Sequence, residues 1–329
     1  MNQDSVSELE VAAHVEQFYS VIIQKIEHLD VNVYKVVHAK PESQSQLEAP
    51  LSWVIRVFPT TRSLISASHD AQVLSFLESS QFTAEVAVKP TALSLYQGHA
   101  ILATHFIHGE RPLGTKETFY RLGRQLGRLT TFSMNDAGID WPGGGWHHMC
   151  GDGNVGAEVR EADRVLTTVI RDGQDAIDPE KIKLLDIVRS ELSKLADLAD
   201  LPVSLVHPDF VPANAIMSEG KLIMVDWTGT GIGSRLCALG FLLWAAGRRS
   251  SKLAAVAMTG YCEYGELERE ELERLTDAIR FRPLVLSCWS VIMGKRSIED
   301  LVSELSSMRS FAELIAEAAR TAYEARSVR

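Results

Sequence analysis

Residues 204–229 read SLVHPDFVPANAIMSEGKLIMVDWTG. Two short apolar runs flank Ser218-Glu219-Gly220, and a Gly-containing turn between such runs predicts a β-hairpin. Just before it, HPDFVPAN is a loop punctuated by Pro208 and Pro212. A hairpin brings its two ends together. Asn214, at the start of the first strand, and Asp226, at the end of the second, are therefore expected as neighbours, with Asp209 in the loop facing them. An apolar segment with His207, two Asp and an Asn needs a use for those polar groups.

An Asp base, an Asn and a second Asp converging at a strand end suit Mg²⁺-dependent phosphoryl transfer. That reaction asks for a metal to neutralise phosphate charge and a carboxylate to orient the attacking hydroxyl. Mg²⁺ takes hard oxygen ligands, which Asn and Asp side chains supply. His207, Asp209 and Asn214 have the spacing H-x-D-x-x-x-x-N of a kinase catalytic loop, and Asp226 follows the hairpin where a metal-binding Asp belongs. The plainer alternative is that Asp209 caps a turn, Asn214 satisfies a loop and Asp226 ends a strand.

The rest of the chain supplies a context. Residues 7–29 read as an amphipathic helix, and VNVYKVV (31–37) and SWVIRVF (52–58) as strands, joined by a long polar hairpin loop, HAKPESQSQLEAP. Val73, Leu74 and Leu77 place a helix over 66–79. Strands follow near 91–96 and 100–106. The pattern turns helical from 115, where Phe119, Leu122, Leu126 and Leu129 share a face, and again over 158–171 and 180–199. A Gly-rich stretch at 136–155 interrupts it and reads as a mobile loop near a substrate cleft. The expected fold is α+β in two lobes: a β-rich lobe over 1–110 with one helix inserted after its third strand, and a mainly helical lobe over 111–329. The boundary falls at HGERPLGT, where Gly and Pro cluster.

Composition narrows the classes. The 329 residues carry a net charge of −10, which speaks against a dedicated nucleic-acid or anionic-membrane surface. The four Cys form no C-x-x-C pair, so neither a disulfide framework nor a zinc site is suggested. The longest apolar run, 236–247, is too short to span a bilayer, and the polar N-terminus has no signal-peptide core. These features point to a reduced, cytoplasmic setting.

The motif and its context resemble the aminoglycoside phosphotransferase and choline kinase family, which carries HGDxxxxN…DW/F on a protein-kinase-like fold. The resemblance covers most of the chain. SWVIRVF looks like the third strand, so Arg56 is implied as the cation that holds nucleotide phosphates. HDAQVLSFLE looks like the following helix, with Asp70 orienting that cation. HAILATHFIHGERP looks like the hinge, where adenine would bond to backbone at Thr104, His105 and Phe106. MTGYCEYGELEREELERL matches a Gly-Tyr helix near the family's C-terminus. By position, Asp209 is implied as the catalytic base, Asn214 and Asp226 as Mg²⁺ ligands, and His207 as a brace of the loop. The implied donor is ATP or GTP. The implied acceptor is a small polar hydroxyl-bearing molecule, a metabolite or an antibiotic, and the acidity favours a cationic one.

Four positions depart from the family pattern. Pro208 replaces Gly, the hairpin EHLDVNVYKV keeps Asn32 but has no Gly, Asp70 stands for Glu, and Ala238 stands where an Asp is expected. They sustain a rival reading, a non-catalytic pseudokinase-like binding module. Two further motifs are weak. WHHMCGDG (146–153) has no clean zinc spacing. GTGIG (229–233) follows a strand but lacks a full dinucleotide fingerprint, and reads as a flexible segment.

Overall fold

The computed structural model describes residues 6–39, 51–133, 141, 143, 155–172 and 178–326. Its chain divides into two compact units, Met1–Glu110 with Ser218–Trp227, and Arg111–Met217 with Thr228–Arg329. The segment 218–227, and Asp226 with it, therefore packs with the first unit.

Helix α1 (Glu8–Tyr19) starts at a reciprocal cap between Ser7 and Glu10 and stops at Ser20, whose φ is 53°. This is shorter than the 7–29 helix expected from sequence. Residues Ile22–Asp30 form strand β1 instead. Branched Ile22, Ile23 and Ile26 suit a pleated edge, and a bulge between Ile23 and Lys25 hides the two-residue alternation that marks a strand. After a two-residue turn come β2 (Val33–Ala39), β3 (Leu51–Val57), α2 (Leu64–Ser79), β4 (Leu93–Tyr96) and β5 (His99–His105). The turn has no Gly because Asn32 takes the left-handed conformation, at φ 56°, and Asp30 accepts the Val31 N–H. The five strands form one antiparallel sheet in the order β1-β2-β3-β5-β4. Alternate residues Tyr34, Val36, Trp53, Ile55, Val57, Ile101 and Ala103 pack with Val11 and Val15 of α1 as its core. The polar loop expected over 38–50 lies outside the described residues from 40 onward.

The second stretch runs α3 (Lys116–Leu129), α4 (Val155–Asp172), α5 (Pro179–Ser193), β6 (Val203–Val206), β7 (Ala215–Ser218), β8 (Lys221–Met224), β9 (Gly231–Ser234), α6 (Arg235–Gly247), α7 (Ser251–Tyr261), α8 (Arg269–Glu273), α9 (Leu275–Ile292) and α10 (Ile298–Glu324). The face of α3 foreseen from helical spacing is buried: Phe119, Leu122, Leu126 and Leu129 are all inaccessible. The 215–224 hairpin forms, and Glu219 and Gly220 have φ of 49° and 76°, the two positive values its turn requires. The segment expected to be flexible after Asp226 is strand β9, antiparallel to β6. Its glycines mask a strand that only non-local pairing with an apolar partner stabilises. The 136–155 loop, with WHHMCGDG, lies outside the described residues apart from 141, 143 and 155. Among the described residues no helix is long and apolar enough to cross a membrane.

Two features of the helical unit can be tested. Helices α3 and α7 approach so closely that a Cβ on Gly123 would stand 2.0 Å from the Ala257 carbonyl oxygen, and one on Gly260 would stand 2.1 Å from that of Tyr120. Ala normally stabilises a helix relative to Gly. Here the clash outweighs that gain, and Gly123→Ala is expected to lower stability by about 1–3 kcal/mol in urea unfolding. Glu191 of α5 receives hydrogen bonds from Lys194, from Arg309 of α10 and from Arg280 of α9. Burial would raise its pKa, but these cations outweigh it and hold the pKa at about 2, against an ordinary 4.5. A depressed folded pKa gives stability that is present above the unfolded value and is lost as pH falls through the folded one. Glu191→Gln is therefore expected to cost about 2 kcal/mol near neutrality. That gap should close between pH 4.5 and about 2 in urea titrations at a series of pH values.

Candidate active site

Strand β6 delivers the chain to a loop held by its own backbone. His207 is wholly buried, and its Nδ1 accepts the Asp209 N–H at 3.0 Å, which leaves the ring proton on Nε2. The Asp209 carbonyl accepts from the Val211 N–H at 2.9 Å and from Asn214 Nδ2 at 3.0 Å. The Asn214 N–H in turn donates to the Val211 carbonyl at 3.0 Å, closing a 3₁₀ turn over Pro212–Asn214. Asn214 thus turns its amide NH₂ inward, and its side-chain oxygen is the atom left to face a ligand. The Asp209 carboxylate is 27% exposed, and Oδ1 lies 3.6 Å from Nε of Arg282 on α9. That guanidinium is buried. It donates from Nη1 to Glu158 of α4 at 2.9 Å and from Nη2 to the Pro208 carbonyl at 3.0 Å.

Asp226 belongs to the first unit. It adopts φ 65°, and its N–H donates to Glu85 Oε1 at 2.8 Å. The Trp227 N–H reaches the same oxygen at 3.3 Å, and Glu85 Oε2 accepts from the Thr104 hydroxyl at 3.0 Å. Arg56 of β3 pairs with Asp226, Nη2 to Oδ1 at 3.1 Å, while the Asp226 carboxylate stays 48% exposed. Burial weakens the charge of Arg56, but Glu85, then Asp226, then Asp70 outweigh it and push its pKa upward.

One expectation changes here. Asp70 was expected to orient Arg56, yet its close ion pair is with Arg62, Nη2 to Oδ2 at 2.5 Å. Asp70 acts on Arg56 as a more distant charge, behind Glu85 and Asp226. Its short side chain reaches the arginine at the entrance of its own helix. Burial pulls the Arg62 pKa down despite Asp70. At 104–106, where adenine was expected to bond to backbone, the N–H groups already have partners. Thr104 is paired with Val54 in the sheet, the His105 N–H donates to Val86 at 2.8 Å and the Phe106 N–H to Ser52 at 2.9 Å. Burial lowers the pKa of His105.

Sequence reasoning missed Glu85, Arg62, Glu158 and Arg282. Glu85 carried one signal, being the only charge in FTAEVAV. Arg282 sits among apolar neighbours in α9, another polar group within a buried stretch. Among the described residues no three His, Cys, Asp or Glu side chains cluster as a metal site. The site's donors are carboxylate and amide oxygens, a set that suits Mg²⁺ better than zinc.

Residues 30–273 match the family described as Phosphotransferase enzyme family, APH. The chain belongs to that family. No curated protein sequence matches it. Among solved structures it is similar to the amicoumacin kinase hAmiN in complex with AMP-PNP, Ca²⁺ and Ami, at TM-score 0.65 and 14% identity over 94% of this chain and 93% of that one. It is also similar to the spectinomycin phosphotransferase APH(9)-Ia in complex with ADP and spectinomycin, at TM-score 0.60 and 14% identity over 96% and 98%. Choline kinase LicA from Streptococcus pneumoniae follows at TM-score 0.56 and 14% identity over 96% and 100%. These likenesses show the fold: α+β and kinase-like, with a β-rich N-terminal lobe and a helical C-terminal lobe. As a phosphotransferase the chain has no use for the dinucleotide reading of GTGIG, which leads into an antiparallel strand and opens no βαβ unit.

Glu85 is the testable centre of the cluster around Asp226. Glu85→Ala leaves two backbone N–H groups and a hydroxyl without their acceptor and removes the strongest anionic support of Arg56. It is expected to cost about 3 kcal/mol, and Glu85→Gln, which keeps an acceptor oxygen, about half that, in urea unfolding.

Proposed function

We propose that this phosphotransferase moves the γ-phosphoryl group of ATP or GTP to a hydroxyl of a small polar molecule. The observation that carries this is the 207–214 loop, whose backbone bonds fix the Asp209 carboxylate in a partly exposed position. Asp209 orients the acceptor hydroxyl and takes its proton. Asn214 and Asp226 supply oxygens to Mg²⁺, which when bound neutralises phosphate charge. Arg56 holds phosphate oxygens, a ligand of the same charge as its present partner Asp226. Asp70 supports it from a distance, through the charge cluster that Arg62 shares. The purine sits against the strand end at Thr104, His105 and Phe106, and takes its hydrogen bonds from groups beyond 106.

The acceptor is a cationic antibiotic or an amino alcohol. Net acidity favours a cation, and the similar structures include kinases named for amicoumacin, spectinomycin and choline. With an antibiotic as acceptor, the activity would confer resistance. We place it in the cytoplasm, where Cys237, Cys262 and Cys288, all unpaired thiols, stay reduced. The Gly-free β1–β2 turn, built on Asn32, favours one second reading, a binding module without catalysis.

Thermal unfolding with ATP·Mg²⁺ and GTP·Mg²⁺ separates the two. At a hundred times the dissociation constant, a nucleotide adds about 2.7 kcal/mol. The expected result is a rise in Tm that requires Mg²⁺ and disappears in Asp226→Ala. A panel of aminoglycosides, peptide antibiotics, choline and ethanolamine then finds the acceptor. Asp209→Asn should lower its phosphorylation by about 10²–10⁴-fold and leave nucleotide affinity intact. No shift with either nucleotide would favour the binding module.

A further inference from the structure

Pro208 has no N–H, so its carbonyl is the one backbone group through which the protein can hold that residue. Arg282 takes it. We propose that Arg282, clamped by Glu158, is the positioning residue of the catalytic loop: it fixes the 208–209 peptide and so aims the Asp209 carboxylate. This rests on the reading of Asp209 as the base.

The guanidinium is a rigid planar fork, and each of its three nitrogens has a partner. Nη1 meets Glu158 Oε2 at 2.9 Å, Nη2 meets the Pro208 carbonyl at 3.0 Å, and Nε faces Asp209 Oδ1 at 3.6 Å. The side chains of Arg282 and Glu158 are 5% and 3% exposed. Burying either charge alone costs several kcal/mol, and together they are neutral. Once Glu158 sets one edge of the fork, planarity sets the other two. The position of a carboxylate on α4 is thereby translated into the position of a loop peptide and, beyond it, of the reactive carboxylate.

Helix α6 presents Ala238 to the same region, where a cavity of about 30 Å³ lies between Val155, Glu158, His207, Pro208, Ala238 and Arg282. That volume holds a water or two. The Glu158–Arg282 pair supports the loop from α4 and α9.

A stabilising pair and a positioning pair predict different results when both partners are removed. Arg282→Met alone leaves the buried Glu158 carboxylate without the guanidinium and should lower Tm sharply. Arg282→Met with Glu158→Leu should recover most of that loss. In the double variant the amides of Asp209, Val211 and Asn214 should still exchange with solvent at least about tenfold faster than in the wild type. Turnover of ATP·Mg²⁺ or GTP·Mg²⁺ with water as acceptor should show kcat down by about a hundredfold and nucleotide KM nearly unchanged. Arg282→Lys keeps the charge and loses the fork, so it should fold without rescue and show the same two defects. Wild-type exchange and wild-type kcat in these folded variants would overturn the proposal. If the wild type turns over neither nucleotide, the kinase reading fails by itself, and slow exchange at 209–214 in the variants would then show that Arg282 does not hold the loop.

Discussion

Asp226 is held in a left-handed backbone conformation, at φ 65°, and the first unit's chemistry depends on that peptide. A residue with a Cβ pays roughly 1–2 kcal/mol to adopt it. Glu85 offsets the cost by accepting two consecutive N–H groups on one oxygen, from Asp226 and Trp227, while its other oxygen is fixed by Thr104. The wholly packed Trp227 ring closes the arrangement through its own N–H to the Met224 carbonyl. The Asp226 side chain pairs with Arg56 and stays partly exposed, while Glu85 restrains its backbone.

The 207–214 loop solves the same problem with other parts. The backbone of Asp209 is tied at both ends, its N–H to His207 and its carbonyl to Val211 and Asn214. In both units the bonds that set the backbone come from groups other than the carboxylate itself. Each carboxylate is consequently restrained in direction yet partly exposed, the combination that ligand binding and proton transfer require.

How far this was legible in the sequence depends on how local each constraint is. The hairpin, its Glu219-Gly220 turn, the α3 face and the H-x-D-x-x-x-x-N spacing are short-range features, and each was readable. Strand β1 was not, because a bulge scrambles its alternation and a helix runs directly into it. Strand β9 was not, because two of its four residues are glycines and its partner lies some distance up the chain. Glu85 and Arg282 were missed for a related reason. Their partners are 141 and 124 residues away respectively, so no local spacing reveals them.

Two departures of the first unit belong together. A carboxylate one methylene shorter at position 70 finds Arg62, eight residues upstream and stacked 4.1 Å above the Phe58 ring, as its close partner. Arg56 then needs an anion from elsewhere, and Glu85 is the strongest of those acting on it. Glu85 enters from the segment after α2, whose backbone joins the Met224 strand through the Glu85 N–H to the Met224 carbonyl at 2.9 Å. One residue thus connects the strand end at Thr104 with the peptide of Asp226 and acts as an anion on Arg56. Arg56 meets Asp226 directly as well, Nη2 to Oδ1 at 3.1 Å, so Glu85 restrains that residue through its backbone and Arg56 through its side chain.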